Sequence, residues 1–277
     1  MEKCRQYHFL NNINGFSFSL IKGAPLIAQI DKIHNIGPHA KDFYNRTVLS
    51  SMQMVNFLKP QESLGFYIDS EEPYYRFKVE MSSEGTMRTL LLPEEFSDFP
   101  STFSGKCRLH KTIIGKSPYT SVLEFQNLDL DQVINQVMEQ SYQTQSKILM
   151  STDKQSSLML TLLPPTNVDQ KFEELDPLTL EKAQERNADF FNKILNEDIE
   201  LPELEELAKE NGCQYLGSKE MNFHCPCSRE RMVENLFTLT EDDRKHIFEE
   251  QNPVEIRCDY CNTVYQIREE EVQNPIQ

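Results

Sequence analysis

Four of the seven cysteines of this 277-residue chain sit near its end, as Cys225-Pro226-Cys227 and Cys258-Asp259-Tyr260-Cys261, with residues 228 to 257 between the pairs. Two short-spaced pairs supply four thiolates, the ligand set of a tetrahedral structural zinc site. No other feature limits the fold as strongly. The last fifty or so residues hold too few large apolar side chains to assemble much core. Metal coordination, which can contribute on the order of 10 kcal/mol to folding, is expected to hold them together.

The competing reading of such cysteines is two disulfides in a secreted protein. Met1 leads into Glu2-Lys3-Cys4-Arg5-Gln6, with no apolar signal core, and no run of eighteen apolar residues follows. A cytosolic location is therefore expected, where thiols stay reduced and the quartet favours metal. Cys4, Cys107 and Cys213 are isolated in sequence and read as ordinary thiols. His8, His34, His39, His110, His224 and His246 show no ligand spacing with the acids; His224, beside Cys225, is the one possible substitute ligand. The same four thiolates are also oxidisable, and converting them to disulfides removes the ligands.

A net charge of -16, from 28 Lys and Arg against 44 Asp and Glu, repels a phosphate backbone. Basic residues are not interleaved with aromatic ones as a stacking groove requires. Neither nucleic acid nor membrane is expected as a partner.

The first part of the chain reads as α+β. Phe16 to Ile21 alternates like a half-buried strand, Ile27, Ile30 and Ile33 recur at helical spacing, and a second helix runs from Pro38 toward Leu58. Strands follow at 64–68, 75–79, 87–92, 107–114 and 121–125. A helix from about Leu130 to Gln143 carries Val133, Ile134, Val137 and Met138 on one face. A last strand, 158–163, closes at Pro164-Pro165. The expected fold is a main domain over 1–168 with a largely antiparallel sheet and packed helices, a helical linker over 169–220 and a small zinc-binding module over 221–277.

Residues 171 to 210 hold thirteen Asp or Glu against five Lys or Arg, half of the net charge of the chain. Leu175, Leu178, Ile194, Leu195, Leu201, Leu204 and Leu207 nevertheless keep an intermittent helical pattern, with Pro177 and Pro202 as interruptions. Two readings stay open: a solvated linker with short helices, or marginal helices whose apolar faces are covered only when docked on the rest of the protein. In the module, Thr240 reads as a helix cap. Strands 254–257 and 263–267 flank the second cysteine pair and place it on a hairpin tip.

Phe223-His224-Cys225-Pro226-Cys227-Ser228, followed at the proper interval by Val254-Glu255-Ile256-Arg257-Cys258-Asp259-Tyr260-Cys261-Asn262-Thr263-Val264-Tyr265, resembles the motif of the 33 kDa chaperonin (heat shock protein 33) family. His34 to Ala40, Phe57-Leu58-Lys59, Gly85-Thr86-Met87-Arg88 and Ser141-Tyr142-Gln143 extend the likeness over most of the chain. Thr89, the Asp69 to Pro73 turn, Lys154 to Ser157 and Tyr142, which stands where an acid is common, depart from the pattern. The resemblance implies a redox-regulated, ATP-independent chaperone, a holdase rather than an enzyme, that binds unfolding client proteins. It implies zinc on Cys225, Cys227, Cys258 and Cys261 when reduced, and disulfides Cys225-Cys227 and Cys258-Cys261 when oxidised. It also implies a monomer in the reduced state and a homodimer in the oxidised one.

Two rivals are distinguishable in advance. A constitutive structural zinc in an interaction protein predicts that oxidation merely damages the chain. A thiol-disulfide oxidoreductase using Cys258 and Cys261 predicts that pair at a helix start.

Overall fold

Alternating apolar and polar side chains generate nine strands before the acidic segment: β1 (Cys4–Asn11), β2 (Phe16–Lys22), β3 (Glu62–Glu72), β4 (Tyr74–Ser82), β5 (Thr86–Leu92), β6 (Phe103–Ile113), β7 (Tyr119–Leu128), β8 (Ser146–Met150) and β9 (Ser156–Leu162). The computed structural model describes residues 3–164 and 179–273. The expected domain boundary at 168, with Leu175, Pro177 and Leu178, lies outside them. The chain divides into two compact units, Met1–Phe223 and His224–Gln277.

Helices α1 (Ala24–Ile30), α2 (Pro38–Met52) and α3 (Leu130–Tyr142) cover one face of the first unit's sheet. Each begins where the chain supplies a stop or cap. Pro38 opens α2, which continues as a 3-10 turn over Gln53–Phe57 rather than as one helix to Leu58. Asp129 and Gln132 form a reciprocal capping box on α3, whose Val133, Ile134, Val137 and Met138 are buried as the spacing predicts. Phe43, Tyr44 and Val48 of α2 pack with Phe66, Phe77 and Val79 of the sheet in one core.

From residue 180 onward the acidic segment forms α4 (Leu180–Arg186), α5 (Ala188–Asn196) and α6 (Leu201–Glu210), and a further strand follows, β10 (Gln214–Phe223). The helical pattern expected up to residue 220 therefore stops at Glu210. Pro202 does not interrupt a helix; it occupies the first turn of α6, where its missing N–H costs nothing. The ten-stranded sheet runs β7-β6-β3-β4-β5-β10-β1-β2-β9-β8. Every neighbouring pair is antiparallel except β10 with β5, which pair in parallel through Asn222 with Thr86 and Phe223 with Met87.

Side-chain alternation gives the β1-β2-β9 part of the sheet two buried faces. Met159 points into the core under α1 to α3, while Leu158 and Leu160 point the other way with Phe9, Phe16, Phe18 and Leu20. The second face is covered by α4 to α6 through Ala183, Phe190, Phe191, Ile194, Leu195, Leu204 and Ala208. Of the two readings of the acidic segment, the described helices follow the docked one.

The second unit contains α7 (Arg229–Leu236), α8 (Glu241–Glu250), a hairpin of β11 (Val254–Arg257) and β12 (Val264–Ile267), and α9 (Glu269–Gln273). Thr240 caps α8 by accepting from the Asp243 N–H at 3.2 Å. No helix among the described residues is long and apolar enough to cross a membrane.

Candidate metal centre

Both cysteine pairs are placed by local hydrogen bonding. Ser228, directly after Cys227, caps α7 by accepting from the Arg231 N–H at 3.3 Å, so the chain turns sharply at the first pair. Arg231 returns its guanidinium to the Pro226 carbonyl between the two cysteines at 2.9 Å. The second pair sits at the tip of the β11-β12 hairpin, as its flanking strands predict. Cys258 N–H donates to the Thr263 carbonyl at 3.0 Å and Asn262 N–H to the Cys258 carbonyl at 2.8 Å. Asn262 takes the left-handed conformation, φ 58°, that the tight turn needs.

These turns bring Cys225, Cys227, Cys258 and Cys261 together, with all four sulfurs within 4.8 Å of one another. Cys225 Sγ lies 3.7 Å from Cys258 Sγ, and Cys227 Sγ lies 3.3 Å from Cys261 Sγ. A tetrahedral zinc with Zn–S bonds of ~2.3 Å spaces its sulfurs ~3.8 Å apart, so the donor set and its dimensions fit that ion. His224 is not part of the cluster.

The sulfurs occupy unequal surroundings. Cys258 is 6% exposed within the small core of the unit, and that burial pushes its thiol up to about 12. Burial pulls Cys261 upward as well, but the Thr263 hydroxyl, 3.2 Å away, and the Thr263 N–H outweigh it and hold the group down at about 7. The Tyr265 hydroxyl donates to Cys227 Sγ at 3.1 Å. A bound divalent cation keeps all four groups as thiolates.

A second set of contacts braces the hairpin against α7 and α9. Arg229 makes a bidentate pair with Glu271 at 2.7 and 2.8 Å and also donates to the Gln266 carbonyl. That guanidinium, helped by the Arg268 N–H, holds the Glu271 carboxyl down at about 2. The spacing of the cysteines points to none of Arg229, Arg231, Thr263, Tyr265 and Glu271 as parts of this site. Only the period-two register that sets Tyr265 and Thr263 on the cysteine hairpin is a signal in the sequence.

The remaining cysteines stay outside the cluster. Cys4 and Cys107 are 1% exposed, and burial raises both thiols, Cys4 to about 12. Cys213 lies 3.6 Å from the Asn11 amide, which donates to it. His34 is a satisfied core group, 2.8 Å from Glu94 Oε1. The Cys258 pair stands on a hairpin tip and not at the helix start that the dithiol-oxidoreductase reading predicts.

The family model described as Hsp33 protein matches residues 5–268. The 33 kDa chaperonin of Thermosipho melanesiensis is 24% identical over 282 residues, covering 92% of this chain and 93% of that protein. The 33 kDa chaperonin of Aquifex aeolicus is 22% identical, covering 89% of this chain and 81% of its own length. The crystal structure of the 33 kDa chaperonin (heat shock protein 33 homolog) from Thermotoga maritima superposes with a TM-score of 0.74 at 18% identity, over 99% of this chain and 97% of that one. Family, length and fold agree, and the chain belongs to the Hsp33 protein family.

Proposed function

We propose that this protein is a chaperone whose activity is set by the oxidation state of its four clustered cysteines: a redox-regulated, ATP-independent holdase that keeps unfolding proteins from aggregating. Its relatives are named as chaperonins, which supports the chaperone part of this reading. One observation carries the regulatory part. The acidic helices α4 to α6 cover an aromatic and aliphatic sheet face, and the same stretch of chain continues through β10 to Cys225 with one residue between.

Zn2+, when bound to Cys225, Cys227, Cys258 and Cys261, supplies a cross-link between the two halves of the second unit and keeps the sulfurs deprotonated. A two-electron oxidant such as hydrogen peroxide takes one electron pair from two thiolates. The O–O bond breaks, an S–S bond forms and two hydroxides leave. Disulfides Cys225-Cys227 and Cys258-Cys261 would each close a gap of no more than 4.8 Å to ~2.05 Å. Without four thiolates the second unit loses its main cross-link, and the covering helices then become free to leave the Phe9, Phe18 and Leu160 face. That face is the surface offered to apolar segments of unfolding clients, in a cytoplasmic protein that is monomeric when reduced and a homodimer when oxidised.

The deciding experiment follows zinc content, free thiols and suppression of client aggregation on the same samples during peroxide treatment at raised temperature. Holdase activity is expected to rise as zinc and thiols fall together. Zinc loss with no gain in aggregation suppression leaves a constitutive structural zinc as the correct reading.

A further inference from the structure

Four thiolates suffice to bind zinc, yet the centre carries a fifth directed group. Tyr265 pairs with Ile256 across the β11-β12 hairpin, and its hydroxyl donates to Cys227 Sγ at 3.1 Å. The half-buried ring also packs against the small core of this unit. Cys227, like Cys225 and Cys261, is a half-buried residue, whereas Cys258 is buried.

We propose that Tyr265 is a positioning residue that sets how fast Cys227 is oxidised, by donating its O–H to the sulfur and restraining it as a ligand. The proposal rests on the redox reading above. In the reaction, the Cys227 sulfur attacks one oxygen of hydrogen peroxide: an S–O bond forms, the O–O bond breaks and hydroxide leaves with the electron pair of that bond. A neighbouring thiolate of the quartet then attacks the sulfenic sulfur, forming S–S and expelling a second hydroxide. Both hydroxides are protonated by solvent.

Charge flows from sulfur to oxygen in the first step. A donor on the sulfur therefore stabilises the resting thiolate more than the transition state, and slows attack. Hydrogen bonds to a metal-bound ligand also orient it, and their removal weakens metal binding. The alternative is a ring that merely fills space, in which case the hydroxyl is dispensable.

The substitution Tyr265→Phe keeps the ring and deletes only the donor. In the zinc-loaded full-length protein, zinc release under excess peroxide is expected to quicken on the order of tenfold, and zinc affinity in chelator competition without oxidant to fall by a similar factor. In the cobalt-substituted protein the thiolate-to-metal charge-transfer band is expected to move to longer wavelength, a change that loosened packing alone does not produce. Incorporating 3-fluorotyrosine at position 265, a stronger donor of nearly the same size, should slow release, and it decides the matter if Tyr265→Phe fails to fold.

Wild-type release that Tyr265→Phe matches within twofold, with an unmoved band, overturns the proposal and leaves the redox reading intact. A wild-type protein that keeps its zinc under peroxide overturns the redox reading and the rate-setting claim with it. The affinity and the band then decide whether Tyr265 positions the sulfur at all.

Discussion

Glu62 opens β3 almost buried, with a side chain 7% exposed, and its carboxylate receives Lys111 Nζ at 2.6 Å and the Lys59 N–H at 2.8 Å. Burial works against the charge, but the ammonium and the amide outweigh it and hold the carboxyl below its ordinary value of 4.5. A carboxylate with a depressed folded-state pKa stabilises the protein above its unfolded-state pKa, and that contribution disappears as the pH falls through the folded value. Glu62→Gln should therefore cost about 1.5–3 kcal/mol at pH 7, the range for hydrogen bonds to a charged group. As the pH falls from 7 through that lowered folded value the wild-type side chain becomes neutral too, and the gap should close. Urea unfolding of both proteins across that range checks this; a difference that stays constant with pH would mean that the ion pair contributes nothing. Gly85 shows a second way a single residue matters. It holds φ at +85°, and a Cβ there would come within 2.1 Å of the Glu220 carbonyl oxygen in β10. Gly85→Ala is expected to destabilise the β10 junction by more than about 1 kcal/mol, read as faster amide exchange at Asn222, whose N–H donates to the Gly85 carbonyl.

At the scale of elements, the docked acidic helices are the ones whose packing can be tested singly. Phe191 of α5 is 2% exposed and meets Phe16 and Phe18 edge-on at 6.3 and 5.4 Å. Truncating a buried Phe to Ala costs about 3–5 kcal/mol where the surroundings stay put. Under the proposed mechanism a lower-cost response is expected: α4 to α6 leave the sheet while β3 to β7 keep their separate core under α2. Phe191→Ala is expected to raise amide exchange across 180–210, spare β3 to β7, and give holdase activity in reduced protein. Retained protection of α4 to α6 would show that the docking does not depend on this contact. Of these helices α5 and α6 were legible in the sequence, because Ile194, Leu195, Leu204 and Leu207 kept helical spacing despite the acids. The Thr240 cap of α8 and the hairpin around Cys258 were legible too, since local chemistry decides them. β1 and β10 were not. β1 buries Gln6 and Asn11 beside Phe9, with Gln6 donating to Gln53 at 3.1 Å and Asn11 to the Asn211 carbonyl at 3.2 Å, so polar residues occupy interior positions. β10 buries Met221 alone among its side chains and owes its place to backbone pairing with β1, which no period in its own residues announces. In the centre, the sulfurs were legible from spacing, while the Arg229–Glu271 brace joins residues too far apart in sequence to form a pattern.

For the molecule as a whole, the two units differ in what holds them. The first has two extensive cores, one on each face of the sheet. The second buries Met232, Leu236, Phe248, Val254, Cys258, Ile267 and Val272, so one of its seven core side chains is itself a candidate ligand. Its candidate metal site and its core therefore overlap at Cys258, and a core of that size is not expected to hold some fifty residues in place unaided. Thermal unfolding of reduced protein in a buffered zinc series should accordingly resolve two transitions. The transition assigned to His224–Gln277 should gain about 1.4 kcal/mol for each tenfold rise in free zinc above the dissociation constant, since an ion bound only by the folded form stabilises it by mass action. The transition of the sheet should move far less. Cys258→Ser removes a ligand and a core residue at once, and is expected to abolish the metal-dependent transition at every zinc concentration tested. A second unit that melts at the same temperature in strong chelator as in zinc would show that its small core is sufficient, and that the four sulfurs are held together by the fold rather than holding it.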